Sequence, residues 1–158
     1  MTLLQFHVAI SLIGIASGLI AIFGLLAGYP PGVWTAVFLA STVLTSVTGF
    51  PLPPYGFDPP RAIGVLSLVL LAVAILALYA FDLRGPWRWI YIATAVTALY
   101  LNVFVGVVQA FGKIARLNAL APTQTEAPFV IAQLAVLTLF VIFAAILIVR
   151  FHPAPAST

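Results

Sequence analysis

Long apolar runs alternate along this chain with short polar or proline-rich breaks. Five runs stand out, at residues 3–27, 33–50, 62–81, 89–111 and 129–149, and none contains Lys, Arg, Asp or Glu. A helix rises about 1.5 Å per residue and the hydrocarbon core of a bilayer is about 30 Å thick, so roughly 20 apolar residues cross it. The pattern predicts an all-α fold, a polytopic transmembrane helix bundle of five spans. Residues 1–150 form a single bundle and residues 151–158 a disordered tail. The breaks fit helix ends. Gly28, Tyr29, Pro30 and Pro31 make a tight hairpin, and Pro51, Pro53, Pro54, Pro59 and Pro60 predict a connector that holds no helix. Asp82 to Pro86 is a short turn. The longest connector runs over residues 112–127, and its Lys113–Leu117 stretch has the makings of a helix lying at the membrane interface. The first run lacks a basic leader and is too long for a signal-peptide core, so it is expected to be retained as a span.

The polar residues inside the runs are not scattered. In the fourth run Tyr91, Thr94, Ala98, Asn102, Gly106, Gln109 and Lys113 follow a three-to-four spacing that places them on one helical face. That face is expected to turn into the bundle, because an amide facing hydrocarbon loses its hydrogen bonds. His7, Ser11, Gly14, Gly18 and Ala21 form a similar stripe in the first run. Gly14-x-x-x-Gly18 and Gly24-x-x-x-Gly28 are close-approach patterns, read as helix packing within the chain or between copies. The second run ends in Ser41, Thr42, Thr45, Ser46 and Thr48, the third offers Gly64 and Ser67, and the fifth offers Gln133.

Let face A be the side bearing the N-terminus and face B the other. Counted at 1.5 Å per residue, His7, Thr45, Thr48, Ser67, Gln109 and Gln133 fall roughly 5–10 Å from face A, and Asn102 lies near the middle. Both long connectors also belong to face A. The expectation is a small polar pocket or cleft in the face-A half, with His7, Thr45, Thr48, Asn102, Gln109 and Gln133 as ligand-binding residues. A second reading stands beside it: such residues also serve as simple hydrogen bonds between helices.

Composition sharpens the class. Of the 158 residues 64% are hydrophobic and 6% charged, and the mean hydropathy is +1.24; a soluble domain carries about 25% charged residues. There is no cysteine, which removes disulfides, thiolate metal sites and cysteine nucleophiles. The net charge of +3 comes from scattered basic residues, so nucleic acid is not expected as a partner. No phosphate-binding glycine loop is present, and nucleotide is not expected either. Trp34, Trp87 and Trp89, with Tyr29, Tyr79 and Tyr91, all gather at face B, as interfacial aromatics do. Arg61, Lys113 and Arg116 at face A balance Arg84, Arg88 and Arg150 at face B, so the basic residues assign no cytoplasmic side.

The candidate chemistries are few. The two histidines, His7 and His152, fall at opposite faces, so they do not meet at one haem iron. Asp58, Asp82 and Glu126 lie at span ends or in connectors, which argues against a carboxylate-driven pump. His7 and Ser11 are four residues apart with no carboxylate to orient the imidazole, so a hydrolase has little support. No catalytic residue, metal or cofactor is predicted.

The strings Leu44–Phe50, Trp87–Tyr91, Tyr100–Phe104 and Leu120–Gln124 resemble those of small bacterial inner-membrane proteins of uncharacterised function, over nearly the whole chain. The resemblance implies location and topology and no activity. It also implies histidines in the connector after Thr48-Gly49-Phe50, where this chain carries Tyr55 and Arg61 and none. Three functional readings follow. The first is a bundle that binds or passes a small, weakly polar molecule. The second is an accessory subunit that docks on a larger membrane complex, or on a second copy, through the first span. The third is a membrane enzyme or haem protein. Membrane lipid is a partner in all three.

Overall fold

The computed structural model describes residues 2–53 and 59–152, and among these the chain is all-α. The helices are α1 (Leu3–Leu26), α2 (Val33–Gly49), α3 (Pro59–Ile75), α4 (Trp87–Lys113), α5 (Ala115–Leu120) and α6 (Ala127–Arg150). A π-helical turn, Leu76–Ala80, extends α3. Counting that turn with α3, four helices are long and apolar enough to cross a membrane. The other apolar helix, α2, has 17 residues and spans about 26 Å. It is cut short by Gly32 at its start and by Pro51 and Pro53 beyond its end. The 153–158 part of the tail, and Tyr55 and Asp58 of the second connector, lie outside the described residues.

Local chemistry sets the ends. Thr2 and Gln5 form a reciprocal capping box at the start of α1. Gly28 adopts φ +87° in the hairpin to α2, a conformation that suits glycine. The prolines of the second connector act differently from expectation: Pro59 and Pro60 open α3 instead of excluding a helix. A proline in the first turn gives up an N–H that has no helical partner there, and its fixed φ is already helical. After the π-turn the chain reverses through Asp82, Leu83 and Gly85, at φ +48°, +56° and +54°. Phe81 stacks on Trp87 across this turn at 3.8 Å between ring centres. The expected interfacial helix is also displaced. Lys113 still belongs to α4, Ile114 is extended, and the short helix is Ala115–Leu120.

Contacts between helices fix the topology. His7 near the start of α1 bonds Thr48 near the end of α2. Arg88 at the start of α4 donates to the carbonyls of Ile148 (2.8 Å) and Phe151 (2.6 Å) at the end of α6. Phe23 and Phe143 pack edge-to-face, 5.7 Å apart, where α1 and α6 finish together. The helices therefore alternate in direction, with α1 and α6 ending on the same side. α4 is the hub and packs on α1, α2, α3 and α6.

Packing is uneven along the bundle axis. The contiguous core draws Ile22 and Leu25 from α1, Phe38 and Leu39 from α2, Leu71 and Ala74 from α3, Tyr91 to Leu99 from α4, and Phe140 to Leu147 from α6. All of these belong to the middle and face-B half. Tyr91, expected at the interface, is instead a core residue, 2% exposed. Toward face A, the first turns of α1 and α6 are largely exposed and α4 is half-buried from Tyr100 to Val108. The outer surface keeps large apolar side chains uncovered, among them Leu12, Val69, Ile131 and Val141. Water would leave so continuous an apolar surface unsatisfied, whereas lipid tails cover it without cost.

Candidate functional site

Seen from the bundle interior, the polar side chains divide into three groups. Nearest face A, the His7 ring Nδ1 lies 3.0 Å from the Thr48 hydroxyl. Thr48 also donates to the Leu44 carbonyl at 2.7 Å, so that pair fastens α1 to α2. The Thr45 hydroxyl turns back on the Ser41 carbonyl at 2.9 Å. On the opposite side of α4, the Gln133 amide nitrogen donates to the Phe104 carbonyl at 3.3 Å, while its Oε1 is buried with no partner.

The third group lies at mid-depth around Gly14. A side-chain carbon built on Gly14 would lie 3.0 Å from Thr42 Oγ1, 3.1 Å from Asn102 Nδ2 and 3.2 Å from Ser41 Oγ. Gly14 is thus a notch in α1 into which polar atoms of α2 and α4 converge. Thr42 Oγ1 and Asn102 Nδ2 are both buried and without a hydrogen-bond partner. Their neighbours are not so placed: Ser17, Ser41, Thr45, Thr48 and Thr94 each donate to a carbonyl three or four residues back.

The six predicted ligand-binding residues do not line one enclosed pocket. His7 joins Thr48, with the Thr45 backbone beside the ring. Asn102 joins the Gly14 notch, and Gln133 bonds the Phe104 carbonyl of α4, two residues further on. Gln109 is exposed, so the polar face of α4 does not turn inward along its full length. Neighbouring helices cover α4 up to about Leu99, and beyond that point they leave it partly open. A small, partly open apolar void of about 10 Å³ lies in the other half, among Gly18, Phe38, Tyr91 and Leu99. In the face-A half α4 is therefore only partly covered.

The four glycines of the first run have distinct surroundings. A side-chain carbon at Gly18 would fall 2.6 Å from Leu99 Cδ1 and 2.8 Å from Phe38 Cδ2, so this is a true close approach. Gly14 adjoins the polar notch. Gly24 and Gly28 have nothing within 4 Å inside the chain.

Sequence reasoning passed over Ser41 and Thr42 as site members, because ranking by depth favoured Thr45 and Thr48. It also passed over the amides that tie down the last connector. Gln124 Nε2 donates to the Val108 carbonyl at 2.9 Å and Asn118 Nδ2 to the Phe111 carbonyl at 3.2 Å, occupying the end of α4. Neither carried a signal beyond being polar in a loop. Among the described residues no three of His, Asp and Glu come together in a way that would hold a metal ion.

No family model, curated protein or solved structure matches the chain.

Proposed function

We propose that this chain is a multi-pass integral membrane protein, of the bacterial inner membrane, that binds or passes a small neutral molecule through the open face-A half of its bundle. The observation that carries this reading is the set of buried polar atoms without partners: Thr42 Oγ1, Asn102 Nδ2 and Gln133 Oε1. A group in low dielectric that lacks its hydrogen bond costs about 1–3 kcal/mol. A chain with so few polar residues would ordinarily pair them. Thr42 and Asn102 lie together beside Gly14 and Gln133 lies across α4 from them, next to the stretch of α4 that its neighbours leave half-buried. No Lys, Arg, Asp or Glu lies in the five apolar runs, which favours an uncharged ligand. The resemblance of the strings around Leu44–Phe50 and Tyr100–Phe104 to small inner-membrane proteins supports the location.

The test is co-purification. Wild type and the Asn102→Leu and Gln133→Leu variants are purified from membranes in mild detergent, and their bound small molecules are extracted for mass spectrometry. A neutral species held by wild type is expected to fall about tenfold in each variant, the equivalent of one lost hydrogen bond of about 1.4 kcal/mol. Equal amounts in all three proteins, or none in any, would remove the proposal.

A further inference from the structure

The connector between α4 and α6 presents a surface with a chemistry of its own. Helix α4 has 27 residues and spans about 40 Å. The hydrocarbon core is about 30 Å thick and reaches about 40–45 Å with its headgroups. With Trp87 and Trp89 at the face-B interface, Lys113 at the other end of α4 arrives among the headgroups of face A. The chain does not leave for water there. Asn118 Nδ2 donates to the Phe111 carbonyl and Gln124 Nε2 to the Val108 carbonyl. Those carbonyls lie about 3 and 8 Å back along α4 from Lys113. Ala121, just after α5, is fully buried. The connector is thus held against the end of α4, at the boundary between headgroups and acyl chains.

Two kinds of side chain are left outward at this depth. Ile114 and Leu120 are more than half exposed. Lys113 and Arg116 are exposed too, and among the described residues neither has a carboxylate or carbonyl partner. Most other cations of the chain are engaged. Arg84 pairs with Asp82, Arg88 donates to the Ile148 and Phe151 carbonyls, and Arg61 donates to the Phe50 and Leu52 carbonyls. Glu126, in the same connector as Arg116, is turned to Thr123 and Thr125.

We propose that Lys113 and Arg116 bind the phosphodiester headgroups of anionic phospholipid, with Ile114 and Leu120 against the acyl chains. The proposal rests on the membrane insertion of the reading above and not on its ligand. A zwitterionic lipid brings its own cation and would leave the two positive charges unbalanced. A free phosphate would balance the charges but leave the apolar side chains beside them uncovered. An anionic lipid answers both, and lipid is the occupant already present at that depth.

The full chain in neutral detergent is mixed with equal amounts of phosphatidylglycerol and phosphatidylcholine of the same acyl chains, and bound lipid is counted by native mass spectrometry. Each cation near an anionic headgroup adds about fivefold in affinity, so the pair is expected to favour phosphatidylglycerol by about twenty-five-fold at low salt. Lys113→Gln/Arg116→Gln should bring the ratio close to one, and the charge-conserving Lys113→Arg/Arg116→Lys should keep it. Arg84→Gln/Arg150→Gln removes the same charge at face B and should keep it too. Wild type without a preference, a preference that survives Lys113→Gln/Arg116→Gln, an equal loss in the face-B variant, or displacement of the lipid by millimolar glycerol phosphate would each overturn the assignment. Extraction of membranes with alkaline carbonate reports insertion separately. A chain that resists carbonate but shows no lipid preference loses this assignment alone, and a chain that carbonate extracts loses the membrane reading with it.

Discussion

At the scale of single residues, identical letters in α1 do different work. A side-chain carbon added at Gly18 would fall closer to Leu99 and Phe38 than real Cβ contacts do, while one at Gly24 would meet open space. Gly18→Ala is therefore expected to destabilise the bundle by about 1–3 kcal/mol through overpacking. Gly24→Ala is expected to be neutral or slightly stabilising, since alanine is the better helix former. Thermal melts of the two variants in detergent check this, and equal losses would show that the two positions share one environment. The pattern Gly14-x-x-x-Gly18 was visible in the sequence, but its partners were not. Spacing says which residues share a face and is silent on what the facing helix puts there. Asn102 could be placed from its stripe on α4, but the same reasoning failed for Gln109, which is exposed where the bundle no longer covers the helix. The unpartnered hydroxyl of Thr42 could not, because spacing does not say which hydroxyls turn back on their own helix and which do not.

At the scale of elements, the apolar runs located the helices well, since charge and proline mark where hydrocarbon ends. The departures occur at those marks. Pro59 and Pro60 begin a helix, and the chain leaves α3 through a π-turn whose path depends on Leu83 and Asp82 accepting positive φ. The last connector is ordered by local bonds that composition does not advertise. Glu126 precedes α6 and accepts from the Thr123 hydroxyl at 2.9 Å and from the backbone N–H groups of Thr123 and Thr125 at 3.2 and 3.1 Å. Desolvation pushes its carboxyl pKa up, but hydrogen bonds from Thr123, Thr125 and its own backbone outweigh that push and hold it below the ordinary value. A carboxyl with a lowered folded pKa contributes stability above its unfolded value and loses it as the pH falls through the folded one. Hydrogen exchange at residues 121–126 is therefore expected to quicken as the pH drops below the ordinary glutamate range, after correction for intrinsic rates. Glu126→Gln should abolish that pH dependence, and a variant that keeps it would locate its source elsewhere.

At the scale of the whole molecule, the dominant feature is asymmetry between the two halves of the bundle. The face-B half holds the packed core around α4, with Arg88 fastening the ends of α4 and α6. The face-A half is joined by side-chain bonds and leaves α4 half-buried, with buried unpartnered polar atoms on two sides of that helix. The sequence pointed to the face-A half, where the polar residues share a depth and both long connectors lie, but it did not show that the neighbouring helices would leave α4 half-buried there. The chain has no cysteine, so single-cysteine variants report one position each. The most direct test is labelling of Gln109→Cys, Asn102→Cys and Ala95→Cys with a membrane-impermeant maleimide in sealed vesicles of both orientations. The account predicts fast labelling at 109, slower labelling at 102 from the same side only, and protection at 95. Labelling at 95 as fast as at 109, or protection at both 102 and 109, would contradict it.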